Sequence, residues 1–214
     1  MPRISRKQIL QSFRTRSLLE ATRKIIATEG FDAATMERVA REAGITKGGI
    51  YLYFRNKDQM ILEALEEIAL EMLREIESQV APQADAWTRL CQLLRAQMEA
   101  MERHRDILRT LLLVRWYMSD RRERKKWRRL LQYREKHLGR LQAILEEGQG
   151  QELFRSMDTS LAAFYVNEMA ICTAQRRIMG FSGSPLEEDI QGLMRFLAPL
   201  LHDKADLHRT EEKK

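Results

Sequence analysis

Two cysteines, Cys91 and Cys172, are all that a chain of 214 residues contains, and they lie far apart in apolar surroundings. They make neither a CxxC pair nor a disulfide framework, which points to a reduced compartment. Only four prolines and ten glycines interrupt the chain, so long helices are expected. No uncharged stretch approaches the roughly eighteen residues that a membrane span needs. The basic N-terminus MPRISRKQILQSFRTRS has no apolar h-region. These absences lead to the expectation of a soluble cytoplasmic protein that is not exported.

Catalytic signatures are also lacking. There is no HExxH and no P-loop, and GFSGS from Gly180 misses the nucleophile-elbow spacing because position 184 is serine. His104, His137, His202 and His208 form no close metal-ligand pairs with cysteine or with one another. No enzyme activity, metal or cofactor is expected.

What the sequence does hold is apolar residues at 44%, enough for a globular core, and an uneven charge. Residues 1 to 60 carry twelve Lys or Arg against six acids, which is the whole formal excess of +6; the remainder balances. Such asymmetry predicts a polyanion-binding N-terminal module, residues 1–60, on a neutral second module, residues 61–214.

From Thr15 to Thr28, Leu18, Leu19, Ala21, Thr22, Ile25 and Ile26 follow a helical period, with Gly30 as the stop. A second, short helix follows the cap candidate Thr35, with Met36, Val39, Ala40 and Ala43 at core spacing and Gly44 at its end. Thr46 offers a third cap, and Asn56 a fourth for a helix from Lys57 toward Ser78. Two short helices joined by a glycine-containing turn and braced by a longer first helix match a helix-turn-helix unit, in which the second short helix enters the DNA major groove.

That geometry bears on the segment TKGGIYLYF, Thr46 to Phe54. Gly48 and Gly49 stand in the first turn of the groove helix, where each costs about 1 kcal/mol against alanine. A bare helix surface lets the backbone approach phosphates and base edges closely, and free N–H groups there can meet a phosphate. Lys47 and Tyr51 share one face, left for DNA, while Ile50 and Phe54 share the opposite one. Leu52 is expected to interleave with Ile50 and Phe54 in a small core.

TMERVAREAGITKGGIYLYFRNKDQMILEAL, within a match running from about residue 14 to 65, resembles the DNA-binding domain of the TetR family of bacterial transcriptional regulators. Shared features are the Thr opening helix two, the AG turn, the Thr-Lys-Gly start of helix three, its Tyr-x-Tyr-Phe ending, and Lys at the start of helix four. The resemblance implies that Thr35 and Thr46 cap helices and touch phosphates. It makes Lys47 a base or phosphate contact, Gly48 the position of close approach, Tyr51 a groove-facing contact, Tyr53 a phosphate contact through its hydroxyl, and Lys57 a cation against the backbone. Gly49 departs from the commoner side chains at its position, which removes one base reader. Arg3, Arg6 and Lys7 fit either a flexible arm reaching the minor groove or a solvated charged terminus.

After Pro82, helical patterns run through about 84–103, 105–118, 120–148, 158–180 and 185–202. The fold expected is all-α: a three-helix helix-turn-helix domain followed by a larger helical bundle. By resemblance, that bundle binds a small-molecule effector and forms a homodimer through the last two helices, with Ile171, Ala174, Ile178, Leu193, Phe196 and Leu197 as contacts. Trp87, Met98, Met101, Trp116, Tyr117, Tyr165 and Met169 are either soft walls for a hydrophobic effector or ordinary core. Glu168 fits a polar anchor or a solvent-facing residue. The run Arg121 to Arg129 fits a second DNA surface or a solvated helix start. The function expected is sequence-specific DNA binding by a homodimeric, effector-modulated repressor. The alternative is an architectural DNA-binding protein without an effector.

Overall fold

The computed structural model describes residues 5–114 and 128–202. Among these residues every regular element is a helix: α1 (Arg6–Glu29), α2 (Met36–Glu42), α3 (Lys47–Ile50), α4 (Lys57–Ser78), α5 (Ala86–Arg103), α6 (Arg105–Val114), α7 (Arg128–Gly150), α8 (Thr159–Ile178) and α9 (Leu186–Leu201). None of them is long and apolar enough to cross a membrane. The chain divides into two compact units, one drawn from Met1–Ala69 with Asp106–Leu130 and the other from Leu70–Arg105 with Leu131–Lys214.

In the first unit the apolar period of α1 is buried as expected, through Leu18, Leu19, Ala21, Ile25 and Ile26. The helix nevertheless begins nine residues before Thr15, at Arg6. Its extra turns bury little, since Ile9, Leu10 and Phe13 are exposed. They are started by a capping box in which Gln8 N donates to Ser5 Oγ at 3.2 Å and Ser5 N donates to Gln8 Oε1 at 2.8 Å. Arg6 and Lys7 therefore belong to a helix and not to a flexible arm; Arg3 lies outside the described residues. At the other end, Gly30 takes φ 90 and donates to Ile26 O. Asn56 caps α4 by accepting from Gln59 N at 2.9 Å, and Met60, Ile61, Ala64, Leu65 and Ile68 are the buried side of that helix.

The second unit packs α5, α8 and α9 around a core of Leu90, Leu93, Leu94, Met98, Ile144, Leu145, Val166 and Ala170. Asp85 caps α5, accepting from Thr88 N at 3.0 Å. Between α7 and α8 the Phe154 ring packs against Gly148: a Cβ there would come within 2.1 Å of the ring. Phe154 also meets Trp87 and His202 edge-on, at 6.5 and 5.4 Å between centroids. The α8–α9 connection is fastened by Asp189, which accepts from Arg176 at 2.7 Å, Arg177 at 2.8 Å and Ser182 at 3.0 Å. Burial acts to raise that carboxyl, and the three donors overcome it and hold it below its ordinary value. Pro199 falls in the last turn of α9, and the helix ends two residues later at Leu201.

Candidate nucleic-acid interface

The short helices α2 and α3 exist because their ends are satisfied and their inner faces are anchored. A four-residue helix has no stability of its own. Thr35 Oγ1 accepts from Arg38 N at 3.2 Å, and Thr46 Oγ1 accepts from Gly49 N at 3.1 Å. Between the helices Gly44 takes φ 68, a left-handed conformation that disfavours side chains. Ile45 N donates back to Ala40 O at 2.9 Å. Ile50 and Phe54, 0% and 1% exposed, hold α3 down.

With that face fixed inward, Thr46, Lys47, Gly48 and Tyr51 are exposed, as is Thr35 at the start of α2, while Tyr53 and Lys57 are half-buried. Leu52 does not join the core; it is 79% exposed. The chain turns after Ile50, with Tyr53 N and Phe54 N both donating to Ile50 O. Helical spacing places Leu52, two residues on from Ile50, on the side away from Ile50 and Phe54.

The two glycines separate. A Cβ on Gly49 would sit 3.1 Å from Thr46 Oγ1, crowding the hydroxyl that caps the helix. Gly49 therefore has an internal reason. A Cβ on Gly48 would meet nothing within 4 Å, and the backbone there is not left-handed. Neither packing nor conformation inside the chain accounts for its missing side chain.

The cations are less free than the formal charge suggests. Lys47 Nζ donates to Glu37 Oε2 at 2.9 Å, and both side chains are exposed. The hydrogen bond from Lys47 holds the Glu37 carboxyl below its ordinary range, and the same bond raises the Lys47 ammonium. Lys57 Nζ donates to Asp32 O at 3.1 Å. Lys24 pairs with Glu42 at 2.6 Å, and Arg38 pairs with Glu29 at 2.9 Å and with Glu42 at 3.1 Å. Glu37 went unnoticed in the sequence because its partner is ten residues away on another helix, a spacing with no periodic signature.

Among the described residues expected to line an effector site, Trp87 and Met101 stand at opposite ends of α5. Met98 and Met101 are buried in α5, and Met169 packs on the core from α8. Trp87 stands eleven residues before Met98, about 16 Å along the helix axis, against Phe154 and His202. Tyr165 is exposed and meets Phe164 edge-on. Trp116 and Tyr117 lie outside the described residues. So does the basic run as far as position 127; Arg129 pairs with Glu66 at 3.2 Å. Glu168 accepts from Arg134 at 2.7 Å, and that guanidinium also lies over the Phe164 ring.

Glu168 ends a polar chain that penetrates the core. Asn167 Nδ2 donates to it at 3.2 Å, Gln97 Nε2 donates to Asn167 Oδ1 at 3.0 Å, and His137 Nε2 stands 3.1 Å from Gln97 Oε1. Asn167 and Gln97 are buried. Burial pushes the His137 imidazole down to about 4, so it is neutral near pH 7 and donates from Nε2 to the Gln97 carbonyl.

The residues expected at a dimer contact also divide. Ala174, Ile178, Leu193 and Leu197 are buried within their own unit. Phe196 is exposed, together with Leu161, Phe164, Tyr165 and Leu200 on the same two helices. Ile171 is half-buried.

Residues 18–64 match the family model of bacterial regulatory proteins, tetR family. The uncharacterized HTH-type transcriptional regulator YfiR of Bacillus subtilis is 28% identical over 167 residues, spanning 72% of this chain and 75% of YfiR. Among solved structures, a transcriptional regulator from Saccharomonospora viridis in complex with choline superposes with a TM-score of 0.78 at 21% identity, covering 90% of this chain and all of that one. FadR from Bacillus subtilis in complex with stearoyl-CoA gives 0.73 at 21%, covering 87% and 99%. At that identity the two structures establish the fold, and the family match falls on the capped helices, the glycine turn and the exposed Lys47–Tyr51 face. Residues 18–64 therefore form a helix-turn-helix of the kind that bacterial regulatory proteins of the tetR family carry.

Proposed function

We propose that residues 1–60 bind operator DNA as one half of a homodimer, that the chain acts as a repressor, and that residues 61–214 bind the effector and the second copy. One observation carries the DNA contact. Gly48 lacks a side chain on an exposed, normally wound helix where a Cβ would meet nothing of the protein, as expected of a surface that something outside the chain approaches closely. Lys47 and Tyr51 flank it as groove contacts, while Thr35, Thr46, Tyr53 and Lys57 set register on phosphates. In a two-fold dimer the paired α3 helices meet half-sites about 34 to 36 Å apart.

The dimer contact is built from Phe164, Tyr165, Phe196 and Leu200, the exposed apolar residues of α8 and α9, in a self-complementary pairing. The effector occupies the side of α5 and α8 where Met98, Met101 and Met169 accompany the polar chain of Gln97, Asn167 and His137. Apolar walls with a few convergent polar groups are what a small-molecule site requires. Regulators of the same fold hold choline and stearoyl-CoA, which supports an effector but does not choose one. To act as a switch the effector binds the DNA-incompetent state better, and about 1.4 kcal/mol of differential affinity changes operator binding tenfold. Helix α4, whose residues belong to both units, is the covalent route for that coupling.

Selection of bound sequences from random double-stranded DNA at two salt concentrations tests this reading. An enriched inverted repeat, bound more weakly as salt rises, is the expected result. Binding without enrichment would favour an architectural protein, and absence of binding would overturn the proposal.

A further inference from the structure

We propose that Glu37 is a specificity-determining residue of the DNA-binding face, holding Lys47 in an internal ion pair that random-sequence DNA must break. The inference rests on the reading that α3 docks on DNA. Glu37 lies in the first turn of α2 and Lys47 is the first residue of α3. Their side-chain atoms meet at 2.9 Å with 67% and 64% of each side chain exposed. A pair so open to water contributes little to the fold. Its position, in contrast, puts a carboxylate beside the cation that opens the groove helix, on the surface meant for a polyanion.

The consequence differs between DNA sequences. Binding to random DNA is almost wholly phosphate electrostatics. There, Glu37 repels the backbone and occupies Lys47, and nothing in the DNA compensates for the carboxylate. In the major groove of a chosen sequence the carboxylate can accept from an exposed base amino group, cytosine N4 above all, while Lys47 turns to a phosphate or a guanine edge. The exchange is then one charged hydrogen bond for two. Glu37 thus weakens attachment to random DNA more than attachment to the operator, and the ratio between the two is what locates a site in a genome.

The test compares wild type, Glu37→Gln, Lys47→Ala and the double variant by fluorescence anisotropy on random-sequence duplex across a salt series, with circular dichroism confirming that each is folded. Glu37→Gln should bind random DNA about threefold more tightly per protomer, with a salt slope steeper by roughly 0.9 per protomer as Lys47 becomes free to neutralise a phosphate. In the Lys47→Ala background most of that gain should vanish. Affinity for random DNA equal to or below wild type would overturn the proposal, as would a gain that persists in full without Lys47. Sequence selection with Glu37→Gln should yield a flatter enrichment profile than wild type; identical profiles would overturn the discriminating role. If wild type enriches no sequence, the regulator reading fails, while the random-DNA comparison still judges Glu37. Binding by neither protein would end both.

Discussion

Gly48→Ala separates the fold from its function in one substitution. A Cβ at this position would find no atom of the protein within 4 Å, and the glycine needs no left-handed backbone. Alanine therefore fits without strain, restricts the unfolded chain and improves helix propensity, which together stabilise by about 0.4–1 kcal/mol. For a protein of this length that raises Tm by about 1–4 °C. Against DNA the same methyl stands where close approach is proposed. Forcing it into a packed contact costs about 1–3 kcal/mol, or about 5- to 160-fold in affinity per recognition helix. Thermal unfolding by circular dichroism and operator binding by anisotropy, run on the same preparation, give both numbers. A variant that is more stable and binds DNA as tightly as wild type would refute the close-approach explanation. A variant that binds more weakly only because it unfolds would show a lowered Tm.

The neighbouring Gly49→Ala should not gain the same stability, because its Cβ would stand 3.1 Å from the Thr46 hydroxyl; a Tm increase matching that of Gly48→Ala would refute the internal role given to Gly49. Gly148→Ala drives a methyl to 2.1 Å from the Phe154 ring and should cost about 1–3 kcal/mol, measured by urea unfolding. The His137 imidazole sits at about 4 when folded, below its unfolded value of about 6.5. The neutral ring's contribution is therefore complete above pH 6.5 and is lost as pH falls toward 4, by at most about 3 kcal/mol. His137→Gln should flatten the stability profile between those pH values, and an unchanged slope would remove His137 as its source. Phe196→Glu should convert a dimer to a folded monomer by light scattering, whereas Leu197→Glu, 1% exposed, should prevent folding.

The sequence made burial legible wherever a helix was long enough to repeat its period. Leu18, Leu19, Ile25 and Ile26 in α1 and Met60, Ala64, Leu65 and Ile68 in α4 lie inside as their spacing requires. The first turns of α1 were missed by the same reasoning, since Ile9, Leu10 and Phe13 bury little and amphipathic spacing reports burial, not helix. The readable signal there was local: Ser5 and Gln8 stand at capping-box spacing. Leu52 failed because it was counted as core for being apolar, although helical spacing puts it opposite Ile50 and Phe54. In α8 and α9 the period marked Ala174, Ile178, Leu193 and Leu197 as apolar but could not say whether they face their own core or a second copy. Burial separates those two cases, and only after the neighbouring helices are in place. Pairings between helices are further out of reach. Glu37 with Lys47 and Gln97 with Asn167 and His137 join residues ten, seventy and forty positions apart, and no spacing rule along one chain can bring them together. The face proposed to bind DNA was therefore readable from local signals, caps and missing side chains, whereas the Glu37–Lys47 pair proposed to tune it is a contact that only the tertiary fold creates.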